Sequence, residues 1–242
     1  MRLDLEMIKR SLCGSRTEAQ EIIENNGVTV NGVIVTKQTK QVGDTDVIEV
    51  SSRRKYVSRG GEKLEGVLCD VFEVQEVVRD FCFAKIALDI GSSTGGFTDC
   101  LLSYGVAHVD AVDVGTNQLH EKLRNNQHVS IFENTDIREF KSDKKYAIIV
   151  ADLSFIPLNN VFENIIKFGK ESANYFLLIK PQFEVGRGNT KKGIVKDQNI
   201  VDKILGEYIS LAEKFGLKDV KVFPCHITGG EGNQEYFLYG VK

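Results

Sequence analysis

Residues 85–97, KIALDIGSSTGGF, join an apolar segment to a run of small residues. The segment predicts a buried strand, a tight turn, and a helix that begins near Gly96. Small residues let a ligand approach the backbone closely, and ligands of open α/β sheets bind at the carboxyl ends of strands. The residues that we expect to contact or position this ligand are Asp89, Gly91, Ser92, Ser93, Gly95 and Phe97.

The chain downstream alternates apolar segments with helical ones. Four further segments have the composition of strands: HVDAVDV, VSIFEN, YAIIVADL and YFLLIKP. With helices between them, they predict a parallel sheet covered on both faces. A long helix over about residues 198–215 then leads to DVKVFPCHI and, after a glycine turn, to EYFLYGVK. Two strands joined by a short loop must be antiparallel, so the predicted sheet ends in an antiparallel hairpin.

Two further acids follow predicted strands. Asp113 follows the second strand, where it can accept hydrogen bonds from ribose hydroxyls, and Asp136 follows the third, where it can accept one from an adenine amino group. Aspartate is also a common helix N-cap, but the glycine-rich turn and the two acids, each at a strand end, together favour a nucleoside ligand. The sequence has GSSTGG in place of the G-x-G-x-x-G spacing of dinucleotide-binding proteins. The pattern resembles the class I (Rossmann-like) methyltransferases, which implies S-adenosylmethionine as the cofactor.

Residues 1–50 predict a small α+β unit. Ser15 and Glu18 have the spacing of a helix capping box, and VTV-NG-VIV is typical of a hairpin with a tight primed turn. SSRRK, residues 51–55, is polar and basic and is predicted to be a linker. We therefore expect a small domain with its linker over residues 1–55 and an α/β domain over residues 56–242.

Four charged residues outside the glycine-rich turn have a distinctive context. Asp152 in VADLSFIP and Lys180 in LLIKPQFE end predicted strands, where a charge is costly unless it faces solvent or a partner. Taken alone, Lys63 in SRGGEKL is better explained as a solvated helix lysine, and Glu235 in GNQEYFLYG as a strand-edge charge.

The order and context of these four residues resemble the K-D-K-E tetrad of FtsJ-type ribose methyltransferases. Together with the N-terminal unit, the motifs SRGGEKL, DLSFIP and KPQFE resemble the hemolysin A (TlyA) family of rRNA methyltransferases over essentially the whole chain. This resemblance implies 2'-O-methylation of a cytidine in small-subunit or large-subunit rRNA. It also implies Lys63, Asp152, Lys180 and Glu235 as catalytic residues, with Asp152 also touching the cofactor. Lys180 is our candidate base and Lys63 its cationic neighbour, although the sequence leaves the two roles interchangeable.

The N-terminal unit resembles the small RNA-binding module first known from a small-subunit ribosomal protein. Its signature here is Arg2, Ser15-Arg16, Ala19 and GVTVNG. Basic residues on such a unit contact phosphates, which gives affinity but little sequence information. The predicted RNA-binding residues are Arg2, Lys9, Arg10, Arg16, Lys37, Lys40 and Arg59, with Arg187, Lys191 and Lys192 in a basic stretch after Lys180. Any one of them could equally be an ordinary solvated charge.

Composition narrows the classes of protein. Among 242 residues, 42% are hydrophobic and 27% charged, which is typical of a globular protein, and no apolar run approaches the ~20 residues of a membrane span. The five cysteines form no C-x-x-C pair and the four histidines show no ligand spacing, so we expect reduced thiols, no metal and a cytoplasmic location. Residues 1–60 hold ten of the 31 Lys and Arg and eight of the 34 Asp and Glu, which leaves a balance of −5 for residues 61–242. A basic field over the whole protein is therefore absent.

Four alternatives to ribose methylation remain at this point. A base-amino methyltransferase is suggested because DLSF resembles D-P-P-Y, in which Phe155 would stack on a flipped base. A non-catalytic RNA-binding factor, a membrane-active protein and an NAD oxidoreductase are the others. The predicted partners are rRNA or ribosomal subunits, with no membrane and no metal.

Overall fold

The structure is a computed structural model that describes residues 1–24, 27–50, 55–185, 190, 193–229 and 232–242. The chain divides into two compact units, Met1–Arg54 and Lys55–Lys242.

Unit 1 contains two helices and a three-stranded antiparallel sheet in the order β2-β1-β3. Its elements are α1 (Leu3–Lys9), α2 (Arg16–Glu24), β1 (Val28–Val30), β2 (Val33–Ile34) and β3 (Ile48–Val50). The helix-capping prediction is met by Ser15 Oγ, which accepts the N–H of Glu18 at 3.1 Å. The return bond differs slightly, because the Glu18 carboxylate accepts from Gly14. Asn31 and Gly32 both have positive φ, as a primed turn between β1 and β2 requires.

Unit 2 is built around a seven-stranded sheet in the order β6-β5-β4-β7-β8-β10-β9. Its strands are β4 (Ile86–Ile90), β5 (His108–Val112), β6 (Val129–Phe132), β7 (Tyr146–Ala151), β8 (Gly169–Ile179), β9 (Lys218–Pro224) and β10 (Tyr236–Val241). The five strands β4–β8 are parallel, while β10 is antiparallel to both β8 and β9. The predicted class I (Rossmann-like) sheet with a terminal antiparallel hairpin, preceded by a small α+β unit, is thus confirmed.

Seven helices belong to the described part of unit 2. They are α3 (Arg59–Phe72), α4 (Gln75–Cys82), α5 (Gly96–Ser103), α6 (Glu121–Arg124), α7 (Phe162–Ile166), α8 (Pro181–Glu184) and α9 (Gln198–Lys214). The expectation of a helix in every connection is wrong between β6 and β7. Residues 133–145, all described, hold only a single turn, in which the Asp136 carbonyl accepts from Glu139 and Phe140.

Two apolar layers cover the sheet. Alternate residues of a strand point to opposite faces, so Leu88 and Ile90 pack in one layer and Ala87 in the other. Asp89 shares the face of Ala87 and is fully buried. The carboxyl ends of β4, β5 and β7 meet at one edge of this sheet, which therefore carries the polar residues that follow those strands.

Candidate active site

A cleft of about 460 Å³ lies at the carboxyl ends of β4, β5 and β7. Five of the predicted cofactor-binding residues line it: Gly91, Ser93, Asp113, Asp136 and Asp152. Other lining residues were not predicted, although they follow the same strand ends: Val114, Gly115, Gln118, Thr135, Ile137, Leu153 and Ser154. They could have been predicted from the sequence, because they are close neighbours of Asp113, Asp136 and Asp152.

Four of the predicted ligand residues are buried and do not line this cleft: Asp89, Ser92, Gly95 and Phe97. Phe97 is only 3% exposed and packs on Phe237 with ring centroids 5.8 Å apart, so its side chain belongs to the core. Gly95 begins α5 with φ +96°, a conformation that side chains disfavour. These residues shape the turn from behind the cleft wall.

The glycine-rich turn needs Gly91 for steric reasons. Its φ is +77°, and a Cβ there would lie 2.5 Å from the carbonyl oxygen of Asp152. The N–H of Asp152 donates to the carbonyl of Ile90, so the ends of β4 and β7 remain in contact beside this glycine. A larger residue would push Asp152 out of place.

Asp89 is the most strongly perturbed acid of the site. Its Oδ2 accepts from Thr98 Oγ1 at 2.6 Å, while Oδ1 has no hydrogen-bond partner in the described part of the chain. Burial, together with the nearby charge of Asp152, raises the pKa of Asp89 to about 7. A cationic ligand in the cleft would favour the ionised form of this carboxyl.

Asp113 and Asp136 present carboxylates to the cleft. Asp113 accepts the backbone N–H groups of Ser93 and Gly115, both at 2.7 Å, and so joins the loops that follow β4 and β5. Asp136 accepts from the Arg138 guanidinium, whose hydrogen bonds lower the pKa of Asp136. Each carboxylate keeps acceptor capacity for a further donor, because an ionised carboxylate has about four lone-pair sites.

Two lysine–carboxylate pairs lie beside the cleft. Lys63 Nζ on α3 is 2.5 Å from Glu235 Oε2, and Lys180 Nζ at the end of β8 is 2.5 Å from Asp152 Oδ1. Both lysines are 9% exposed. The structure thus brings together residues that are 172 positions apart in the first pair. Buried ammonium groups of this kind require such partners.

The two pairs belong to one cluster. In the antiparallel pairing of β8 with β10, Tyr236 lies opposite Ile179. Glu235, just before β10, therefore lies at the same edge of the sheet as Lys180, just after β8. Gln182 Nε2 reaches Glu235 Oε1 at 3.4 Å. The buried thiol of Cys225, whose pKa burial raises to about 12, is within the fields of all four charges.

Lys180 has two further neighbours that sequence reasoning did not identify. Its amine donates to Ser154 Oγ at 2.9 Å, and it lies 5.9 Å from the ring centroid of Phe183. Ser154 and Asp152 both line the cleft, whereas the two lysines and Glu235 do not. Lys180 is therefore the lysine with direct partners on the cleft wall.

Phe155 lines the cleft with a side chain that is 90% exposed. Its φ of +66° lies in the left-handed region, which is uncommon for a bulky residue. The ring lies beside that of Phe183, at a centroid distance of 5.2 Å. An exposed, strained aromatic residue beside paired lysines offers a flat surface to a substrate.

The predicted RNA-binding residues differ in their contacts. Arg2 and Arg16 converge on buried Asp4, and although burial opposes it, their hydrogen bonds and that of Gln20 lower the pKa of Asp4 to about 2. Arg10 donates to Glu6 and to the carbonyls of Gly43 and Asp46. These three arginines therefore also hold unit 1 together.

The remaining predicted cations are more available. Lys9 contacts Asp44 at 3.3 Å on the surface, and Lys37 and Lys40 line a shallow depression. Arg59 donates to the carbonyl of Thr228. Arg187, Lys191 and Lys192 lie outside the described residues.

The described part of the chain contains neither a candidate metal site nor a candidate membrane-spanning helix. No group of three or more His, Cys, Asp or Glu side chains in those ranges is arranged to hold a metal ion. None of the helices described is both long and apolar enough to cross a membrane.

The strand order and the nucleoside-sized cleft define a class I type of methyltransferase fold. The profile of the FtsJ-like methyltransferases matches residues 56–242, and that of the S4 domain matches residues 1–48. The chain belongs to the FtsJ-like methyltransferase family and carries an S4 domain before the catalytic fold.

Named relatives cover nearly the whole chain. The chain is 44% identical over 247 residues to Hemolysin A of Brachyspira hyodysenteriae, with all of both chains covered. It is 37% identical to the 16S/23S rRNA (cytidine-2'-O)-methyltransferase TlyA of Mycobacterium tuberculosis, over 98% of this chain and 88% of that one. A solved structure from Streptococcus thermophilus, described as a candidate hemolysin, is 32% identical with a TM-score of 0.76, over 100% of this chain and 88% of that one.

Proposed function

We propose that this protein transfers a methyl group from S-adenosylmethionine to a ribose 2'-hydroxyl of rRNA. The observation that carries the proposal is the pair of lysines, Lys63 and Lys180, each held by its own carboxylate beside the cleft. The rRNA (cytidine-2'-O)-methyltransferase named among the relatives supports a cytidine as the target. Such a substrate implies a cytoplasmic location.

The cleft fits the proposed cofactor. Asp113 would accept from ribose hydroxyls and Asp136 from the adenine amino group, and Gly91 and Ser93 line the same cleft. A cation bound there would favour the ionised form of Asp89, which would then add negative charge beside it. When bound, S-adenosylmethionine supplies a methyl group on a positively charged sulfonium, which is already activated for transfer.

Lys180 is the group that we assign to the substrate hydroxyl. A ribose hydroxyl must lose its proton as it attacks, and a neutral amine within hydrogen-bond reach can accept that proton. In this role Lys180 acts from its unprotonated form, because an ammonium group has no acceptor site. Lys180 fits this role better than Lys63 because its partners Asp152 and Ser154 line the cleft. Lys63, fixed by Glu235, orients the hydroxyl and adds positive charge. Positioning supplies most of the acceleration in this scheme.

We assign RNA binding and catalysis to different parts of the chain. We propose that residues 1–55 are an RNA-binding domain with its linker and that residues 56–242 are the catalytic domain. The proposed phosphate contacts of unit 1 include three lysines whose amines make few contacts within the unit: Lys9, Lys37 and Lys40. The three arginines also stabilise the unit through their hydrogen bonds: Arg2, Arg10 and Arg16. Arg59, Arg187, Lys191 and Lys192 are proposed to add further contacts to the RNA.

The product of the reaction tests this proposal. Purified protein is incubated with methyl-labelled S-adenosylmethionine and unmodified rRNA or ribosomal subunits, and the RNA is digested to nucleosides. We expect the label in a 2'-O-methylated cytidine. Label on an exocyclic amino group would instead support base methylation, the second candidate that exposed Phe155 favours. No label on any rRNA or subunit, despite cofactor binding, would contradict the substrate assignment.

A further inference from the structure

We propose that the edge of the unit 2 sheet opposite the cleft binds the phosphodiester backbone of RNA, away from the methylated nucleotide. The surface is a row of four lysines, Lys85, Lys145, Lys170 and Lys242, which we call the lysine row. The inference rests on the proposed function only for the identity of the polymer.

The topology of the sheet creates the row. Lys85 precedes β4, Lys145 precedes β7, Lys170 is the second residue of β8, and Lys242 follows β10. Because β10 is antiparallel to β8, its end lies at the edge where the parallel strands begin. Strands β4, β7, β8 and β10 are consecutive neighbours. Neighbouring strands are ~4.8 Å apart, so the row spans roughly 15 Å.

The amines of the lysine row are not neutralised by carboxylates. Lys145 Nζ donates to the carbonyl of Lys167, Lys242 Nζ to the carbonyls of Ile166 and Gly169, and Lys85 Nζ lies 3.7 Å from the ring centroid of Phe81. In the described part of the chain, none of the four forms an ion pair with an acid. Exposed acids at this edge, Asp143, Glu171 and Asp219, make no ion pair with the row either. By contrast, the adjacent Lys144 is paired with buried Asp110 at 2.9 Å.

Members of the row also act on one another. Burial and the nearby charge of Lys170 lower the pKa of Lys85, and burial and the charge of Lys145 lower that of Lys242. Like charges held together in this way oppose folding. They are concentrated at one edge although residues 61–242 carry a net charge of −5. An anionic partner would offset the repulsion.

The shape of the row favours a polymer of phosphates over a lipid surface. A line of cations, one per strand, matches a linear chain of charges, whereas headgroups form a plane. Phe83 lies at the β4 end of the row and is 73% exposed, with its ring against Gly105. Unpaired bases stack on exposed aromatic rings of this kind.

The salt dependence of RNA binding tests the lysine row. The probe is rRNA transcribed in vitro, bound by full-length protein at several salt concentrations. Lys170→Gln should reduce the slope of log K against log salt by about one, because a phosphate contact is lost. The matched control is Lys203→Gln on α9, which is exposed and pairs with Glu207, and should leave the slope unchanged.

A variant with all four lysines replaced by glutamine should bind rRNA about tenfold more weakly, or worse, near physiological salt. Its affinity for S-adenosylmethionine should be unchanged. Phe83→Ala should weaken binding about fivefold with the slope unchanged, since stacking is not ionic. If the fourfold variant does not fold, the salt dependence of Lys170→Gln tests the lysine row by itself. The Lys170 side chain is exposed, so this substitution should not impair folding.

The outcomes separate the inference from the proposed function. An unaltered slope and affinity in the lysine-row variants would overturn the inference even if the protein methylates rRNA. A slope that depends on the row would support it even if no methyl transfer is found. Binding to vesicles of phosphatidylcholine and phosphatidylserine that is lost in the fourfold variant, with RNA affinity intact, would overturn it in favour of a lipid surface.

Discussion

At the scale of single residues, the site depends on buried charges that hold one another. Glu235 is 3% exposed and accepts from Lys63, which is itself almost buried. Removing one partner of such a pair is costly because the other charge remains desolvated. The same reasoning applies to Lys180 and Asp152, although Asp152 is more exposed. Each lysine therefore has a defined place before any substrate arrives.

We predict that Glu235→Gln lowers methyl transfer at least about tenfold, because Lys63 loses its counter-charge and its fixed position. The variant should also lose about 3 kcal/mol of stability. Single-turnover rates at saturating cofactor and urea unfolding measure the two effects. Glu213→Gln, an exposed acid on α9, is the control and should change neither. A normal rate in Glu235→Gln would show that Lys63 does not need this partner.

We predict that Phe155→Ala raises the KM for rRNA without lowering stability by more than about 0.5 kcal/mol, because the side chain is 90% exposed. Base stacking contributes ~1–3 kcal/mol, which corresponds to a rise in KM of about fivefold or more. Steady-state kinetics with rRNA, together with cofactor titration, measure it. Loss of cofactor affinity with KM for rRNA unchanged would assign Phe155 to the cofactor instead.

At the scale of elements, one hydrogen-bonded contact joins α9 to the two segments that flank the Lys180–Asp152 pair. Glu184 on α8 accepts from the N–H of Leu158 and from the hydroxyl of Tyr208 on α9, at 3.1 and 2.6 Å. The Tyr208 hydroxyl in turn accepts from the N–H of Asn159. Helix α8 directly follows Lys180, and the 3₁₀ turn at Leu158–Asn160 follows the loop of Asp152. The contact therefore fixes both sides of the Lys180–Asp152 pair.

We predict that Tyr208→Phe destabilises unit 2 by ~1–3 kcal/mol, because Glu184 and the N–H of Asn159 lose a buried partner. Burial already raises the pKa of Glu184, so the change should shift that group further towards its neutral form. Urea unfolding measures the loss. Tyr236→Phe is the matched control, since the Tyr236 hydroxyl makes no hydrogen bond with the described residues. Equal stability of the two variants would contradict the role given to Tyr208.

Local elements were the most predictable part of the fold. The capping by Ser15 and the Asn31-Gly32 turn depend on neighbours in sequence, and both follow from residue type. The missing helix between β6 and β7 was not predictable in the same way. Ile137 and Phe140 have helical spacing, yet they are buried against the sheet from a single turn. Tertiary packing decides that connection.

At the scale of the molecule, the fully buried Asp89 makes stability depend on pH. Its pKa in the folded protein is about 7, above the ordinary value of 3.8, so folding favours the protonated form. Its contribution to stability is complete below about pH 4 and is lost as pH rises through 7. The change is at most about 4 kcal/mol.

We predict that Asp89→Asn flattens the pH dependence of stability between pH 4 and 7, because asparagine does not ionise. Urea unfolding at pH 5 and pH 8 measures it, with Asp219→Asn, an exposed acid, as the control. The same pH dependence in Asp89→Asn and in the unaltered protein would show that Asp89 is not the group responsible.

The apolar pattern of the strands predicted the sheet and the positions of two of the four proposed catalytic residues. Asp152 and Lys180 end apolar strands, so their position at the cleft followed from the pattern. The pairing of Lys63 with Glu235 joins residues 172 positions apart and was reached only through family resemblance. Phe97 lies in the core, contrary to the prediction that it contacts the ligand. The alternation of apolar residues does not indicate on which side of a turn an aromatic ring packs. The lysine row could not be predicted at all, since it exists only once the strand order is known.

The measurement that tests the account most directly is methyl transfer to rRNA by the unaltered protein and by Lys180→Met, with the product digested to nucleosides. Methionine removes the amine and keeps most of the buried stem. We expect label in a 2'-O-methylated nucleoside with the unaltered protein, and at least a hundredfold slower transfer in the variant, about the contribution of one positioned acid–base group. S-adenosylmethionine affinity should be retained. Near-normal transfer by Lys180→Met, or label on a base, would contradict it.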